Sequence, residues 1–163
     1  MRKLVFLVVA ALFVAPAAIA GTAAGIEAFN TKQFDTALKE LTPAANAGDA
    51  EARYYLAQMY SGGFGVRKDA TKALKLYGQA AEQGHVAAQK EFGTALAIGD
   101  GAEQDVEEGL KWLFIAARTG NQEAGVYALR FSKLMNRKVV LTARRKAGQW
   151  VSAFKKANAE AKK

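Results

Sequence analysis

The sequence predicts an all-α fold: a short right-handed solenoid of paired helices with a closing helix at its C-terminus. Three observations carry that prediction. One pattern returns every 36 residues, Leu38-Lys39 recurring as Leu74-Lys75 and Leu110-Lys111, and Ala44-Ala45 as Ala80-Ala81 and Ala116-Ala117. Apolar residues within each copy fall at helical spacing. Glycines break the copies at matching places, Gly48 aligning with Gly84 and Gly120, and Gly63 and Gly65 with Gly99 and Gly101. A fixed period of roughly 20–50 residues marks stacked units, each too small to bury its apolar face alone.

The chain opens with Arg2 and Lys3, an apolar run over residues 4–14, then Pro16 and the small-residue triplet Ala18-Ile19-Ala20. A charged start, a short apolar middle and an A-x-A end read as a secretory signal over residues 1–20, cleaved after Ala20. The run falls short of the about 20 residues that span a bilayer comfortably. Extended to Ala20 it leaves an uncleaved anchor open. No cysteine is present to accept a lipid or form a disulfide. The 143 residues that follow suffice for one domain with a real core. Without covalent staples, that domain must hold together by stacking its units.

Residues 21–135 make up the predicted repeat region. Residues 21–30 predict a short, irregular first helix around Ile26 and Phe29. Residues 31–46 predict its partner, with Phe34, Ala37, Leu38 and Leu41 on one face and Pro43 kinking or shortening it. In the next units, Asp69 and Asp105 are placed to cap helices, and Glu108 completes a capping-box pattern with Asp105. Leu74 and Tyr77, then Leu110, Leu113 and Phe114, mark the buried stripe, and the Ala-Ala steps allow helices to approach closely. Gly84 and Gly120 suit the left-handed conformation that ends a helix. The helices that follow carry Ala52, Leu56 and Tyr60 in one copy and Ala88, Phe92 and Leu96 in the next. Residues 121–135 start a fourth unit, with Ala124, Tyr127, Ala128 and Phe131 on one face. Its partner drops the motif. From residue 136 a closing helix spaces Val139, Ala143, Ala147, Trp150 and Phe154 helically, a seal for the last open face in which Trp150 packs as core.

Ala52, Leu56, Tyr60, Gly63, Gly65, Val66, Asp69, Ala73, Tyr77, Ala80, Ala81 and Gly84 together resemble the Sel1-like repeat, a relative of the tetratricopeptide repeat. The next unit repeats the pattern through Ala88, Phe92, Gly93, Gly99, Gly101, Asp105, Trp112, Ala116, Ala117 and Gly120. It departs at Ala102 for a valine and Gly109 for an alanine, while the first copy has Ala57 where the pattern has glycine. The resemblance covers residues 28–130 and implies helix-turn-helix units and a non-catalytic adaptor for other proteins, in envelope complexes or signalling. It does not name the partner.

Charge is unevenly placed. Without Arg2 and Lys3 the chain holds 21 basic and 15 acidic residues. From Arg130 onward eleven are basic against the single acid Glu160, whereas the repeats before it carry ten basic and fourteen acidic residues. Three readings of the basic end over residues 136–163 stand open. One is a solvated face with a lysine-rich tail. Another is an anionic-surface contact through Arg144, Arg145, Lys146, Lys155 and Lys156. The third is pairing with the acidic stretch Asp100, Glu103, Asp105, Glu107 and Glu108 of the same or another molecule. Export and the lack of a nucleic-acid motif argue against nucleic acid.

Catalytic and metal chemistry find little support. His85, the one histidine, stands where Asp49 and Asn121 stand in neighbouring copies, which reads as a helix cap. With no second histidine and no cysteine there is no zinc-like ligand set, and the acidic stretch lacks calcium-loop spacing. No cofactor is expected. Tyr54 and Tyr55 are adjacent, so one helix stripe cannot bury both. On the 36-residue ladder Tyr54 aligns with Lys90 and Val126, Tyr55 with Glu91 and Tyr127, and Gln58 with Thr94 and Arg130. These positions form the candidate protein-binding groove, with inter-repeat packing as the alternative. The expected role is a protein-interaction module of the bacterial periplasm or exterior. An envelope-binding protein that acts through its basic helix is the alternative.

Overall fold

Six helices in succession are each thirteen residues long, and the sequence explains the regularity by how it starts and stops each one. The computed structural model describes residues 16–162, with side chains from residue 21 onward, and every regular element among them is helical. Helices α1 (Pro16–Asn30) and α2 (Phe34–Asn46) form the first hairpin, and α3 (Ala50–Gly62) and α4 (Ala70–Glu82) the second. Helices α5 (Val86–Ile98) and α6 (Val106–Arg118) form the third, and α7 (Gln122–Leu134) and α8 (Arg137–Glu160) complete the chain.

Six helices begin on a side chain that accepts the backbone N–H three residues on. Asp49, Asp69, His85, Asp105, Asn121 and Asn136 do so at 2.7–3.1 Å. Each bond satisfies a donor that the helix itself cannot. The two glycine-rich turns match in register: the Asp69 N–H donates to the Tyr60 carbonyl and the Asp105 N–H to the Leu96 carbonyl, both at 2.9 Å. Gly101, at φ +88°, shows why glycine is required there: a Cβ would collide with the Ala70 carbonyl of the preceding unit.

Three apolar clusters run along the array. The first joins Ala28, Leu41 and Ala45 to Leu56 and Met59. The central one joins Ala57, Tyr77, Ala81 and Ala88 to Trp112, Ile115 and Ala147, and the last joins Leu110, Leu113, Ala124, Ala128 and Ala143. Leu41, Leu110, Leu113 and Ile115 are fully buried, each contributing about 1.5–3 kcal/mol over an exposed state. Helices α5 and α6 approach backbone to backbone. A Cβ on Gly109 would lie 2.6 Å from the Gly93 carbonyl oxygen, and one on Gly93 would lie 2.8 Å from that of Gly109. Helix α8 packs along α6, burying Ala143 and Ala147. Trp150 meets Trp112 edge-on at 5.4 Å and stacks on Phe154 at 4.8 Å, so it packs as the sequence predicts.

Three local expectations are corrected. Helix α1 is regular over Pro16–Asn30, where a short, irregular helix over residues 21–30 was expected. Residues 1–15 of the predicted signal lie outside the described residues. Pro43 does not end α2, which continues to Asn46. The carbonyl it leaves without a donor belongs to exposed Lys39, where water can serve instead. Glu108 does not reach back to complete the capping box, because its carboxylate accepts from Lys111 Nζ at 2.5 Å and Trp112 Nε1 at 2.9 Å.

Replacing a mid-helix glycine by alanine ordinarily stabilises by about 1 kcal/mol. For Gly109→Ala the opposite sign is expected, a net loss of about 1 kcal/mol or more, because overpacking costs about 1–3 kcal/mol. Chemical denaturation checks this, and a stabilised variant would mean that the α5–α6 crossing opens freely.

Candidate functional site

The first helices of successive units, α3, α5 and α7, carry the predicted ladder. Tyr54 stacks on the His85 imidazole at 4.6 Å and lies 5.3 Å from Tyr55 and 6.0 Å from Tyr77. Tyr55 instead packs edge-on to Phe29 at 5.3 Å. The adjacent tyrosines are thus divided between two clusters, Tyr54 in the central one and Tyr55 in the first, and both are half-buried. Burial pushes the Tyr54 hydroxyl above its ordinary pKa, and the Glu91 carboxylate adds to the shift.

Lys90 is the hub. Its Nζ lies 2.9 Å from both Glu91 Oε1 and Glu123 Oε2, and so ties α5 to α7. Burial alone would lower its pKa, but hydrogen bonds to Glu123 and Glu91 outweigh that and hold it above the usual lysine value. The Thr94 hydroxyl donates to the Lys90 carbonyl at 2.9 Å, within its own helix. Gln58 is half-buried beside Tyr54. Tyr127 packs against the last cluster, with the guanidinium of exposed Arg130 5.9 Å from its ring. Tyr54, Gln58, Lys90 and Glu91 are therefore neighbours, while Tyr127 and Arg130 form a second pair on α7, the helix that supplies Glu123.

Residues 50–85 and 87–121 each match the family model of the Sel1 repeat. The chain carries two Sel1 repeats. Its fold is similar to a protective antigen present in uropathogenic Escherichia coli strains and displaying an SLR fold. There the TM-score is 0.80 and the identity 26%, over 84% of this chain and 30% of that one. A Sel1 repeat protein from Oxalobacter formigenes is similar at 29% identity and a TM-score of 0.63, over 69% of this chain and 88% of that one. The chain thus spans less than a third of the antigen's length. No curated protein matches it. Sel1-repeat proteins generally mediate protein–protein interactions.

The basic end of the chain is less free than its composition suggests. Lys146 Nζ lies 2.6 Å from Glu107 Oε1, realising within one molecule the pairing that the acidic stretch offered. The Arg144 guanidinium sits 5.0 Å from the Phe114 ring. Lys156 makes only a 4.0 Å contact with Glu160, and Arg145 and Lys155 have no acidic partner among the described residues. Ser152 and Lys155 have the Ser-x-x-Lys spacing of some serine acyl-transferases, but both are exposed and no hydrogen bond joins them. Among the described residues no group of His, Cys, Asp or Glu could hold a metal, and no helix is long and apolar enough to cross a membrane.

Sequence reasoning missed two features. Glu123, the partner of Lys90, carried no signal because its ladder equivalents Glu51 and Ala87 differ in kind. The exposed leucines of α7 did carry one, since Leu129 stands where Gly93 stands in α5.

His85 gives a pH prediction. Its Nδ1 accepts the Ala88 N–H, so it must be unprotonated to cap α5. Burial lowers its pKa below 6.5, with Glu51 and Asp49 working the other way. A depressed histidine contributes stability that is complete above its unfolded pKa and is lost as pH falls through its folded one. Between about pH 7 and pH 5 the protein should lose on the order of 1 kcal/mol from this cap. His85→Asn, which keeps an acceptor as Asn121 does, should flatten the stability–pH curve there. An unchanged curve would remove the cap from the account.

Proposed function

We propose that this protein is a non-catalytic adaptor of the bacterial periplasm or cell exterior, receiving a protein or peptide segment on the face made by α3, α5 and α7. One observation carries the reading: Lys90, held by Glu91 and Glu123, locks a polar and aromatic ladder across successive units before any partner arrives. A preformed face binds without the ordering cost that a flexible one incurs. Arg2, Lys3 and the apolar run that follows support export. A second reading, adhesion to an anionic envelope polymer or lipid, draws on exposed Arg145, Lys155 and Lys156. Arg144 and Lys146 contribute less to it, being engaged with Phe114 and Glu107.

A photo-crosslinker placed at Gln58 in intact cells should capture a discrete protein. The capture should fall about tenfold when Lys90 and Tyr127 are both replaced by alanine, as hot-spot loss requires. Capture that ignores those changes, yet vanishes in moderate salt and on neutralising Arg145, Lys155 and Lys156, would transfer the function to the envelope contact.

A further inference from the structure

The last unit breaks the pairing rule of the others, and the break leaves a helix face bare. In the third hairpin α5 meets α6 through Gly93 and Ala97, both buried, where a side chain on Gly109 would strike their backbones. In the second hairpin the same position of α3 is Ala57, fully buried. Thirty-six residues after Gly93 and Ala97 the chain has Leu129 and Lys133. A leucine cannot enter so close a crossing. Helix α8 accordingly packs along α6, and it approaches α7 less closely than the two helices of any earlier hairpin approach each other. Leu129 is left 57% exposed, although its register position is the one that elsewhere seats a partner helix.

The uncovered region is apolar and cationic. Val126, Leu129, Leu134 and Leu141 account for four of the six large exposed hydrophobics among the described residues. Around them stand Arg130, Lys133, Arg137 and Lys138, and no acid occurs between Glu123 and Glu160. Lys133, Arg137 and Lys138 have no acidic partner among the described residues. A shallow cleft over the first turns of α8 is lined by Arg137, Lys138, Leu141, Thr142 and Arg145, and α8 begins three residues after Leu134.

We propose that the outer face of α7, continued onto the start of α8, seats an acidic amphipathic helix of a partner protein, which takes the hairpin place that α8 leaves. Its leucine-like face covers Val126, Leu129 and Leu134, and its carboxylates meet Lys133, Arg137 and Lys138. The register makes the seat one for a helix, and the one-signed charge selects an acidic one. A second copy of this chain docked face to face would set Arg130 and Lys133 against their own counterparts, which charge repulsion disfavours. The seat meets the end of the ladder at Val126 and Arg130, whereas Leu129 and Lys133 lie outside the ladder positions, so variants at those two residues test the seat and Tyr54 tests the ladder.

The probes are two synthetic amphipathic peptides of about 20 residues, roughly 30 Å as helices. They share one leucine face and carry glutamates or lysines on the other. By fluorescence anisotropy the glutamate peptide should bind the full chain and the lysine peptide should not. Leu129→Ala with Lys133→Ala should weaken that binding by at least about tenfold while leaving the circular dichroism spectrum unchanged, since both side chains are exposed. Tyr54→Ala should leave it unchanged. Failure of the glutamate peptide to bind, or equal binding to the double variant, overturns the proposal. Phosphatidylglycerol vesicles bound by the chain and released by the same double variant would assign the face to a lipid surface instead. A dimer seen in sedimentation and dissolved by Leu129→Ala would assign it to a second copy.

Discussion

The close crossing of α5 and α6 is the constraint on which the rest of the array depends. With Gly93 and Gly109 facing each other, the two backbones meet with no side chain between them. Their neighbours Ala88, Ala97, Ala116 and Leu113 can then bury completely. Dense packing of this kind makes small volume changes costly, which is why a methyl group matters more here than an exposed charge does. The same economy of side chains recurs at Ala57 and at the Ala-Ala steps of each second helix, and it lets a chain without cysteine keep a continuous core.

Two ion pairs tie one helix of the array to another. Lys90 reaches from α5 to Glu123 on α7, and Lys146 reaches from α8 to Glu107 on α6. Each pair is partly exposed, so each does more to fix how neighbouring helices are seated than to stabilise the fold. The pairing also redistributes the net charge. The acidic start of α6 takes up one lysine of α8, and the uncompensated cations collect at the corner where α7 gives way to α8.

Much of this fold was legible in the sequence because its signals were repeated. Thirteen-residue helices, their Asp and Asn caps and the glycine turns each recur at the same interval, and a cap such as Asp105 reads the same whatever surrounds it. The failures fall where the outcome depends on the environment. Pro43 breaks helices in general, yet here α2 continues past it to Asn46, and Lys39, whose carbonyl it leaves without a donor, is an exposed residue. Glu108 matches the capping box, yet Trp112 Nε1 and Lys111 compete for its carboxylate. Tyr54 and Tyr55 were rightly separated as unable to share one face. That the pair would be divided between two clusters, with neither ring left wholly to solvent, needed the position of Phe29 on α1 and of His85 at the next turn. The candidate ladder was visible as positions, but its internal bonds were not, since no periodicity links Lys90 to Glu123.

Phe154 rests against Gly84, at the turn between α4 and α5, in space that any side chain there would fill. A residue near the end of the chain is thereby buckled to the middle of the array, and Ala147, Trp150 and Val151 join the same central cluster. Stacked arrays usually lose their outermost unit first, like a coin sliding off a roll. In this protein the final helix is strapped back over earlier units, so peeling from that end must first release the strap, and the third hairpin melts together with α7 and α8.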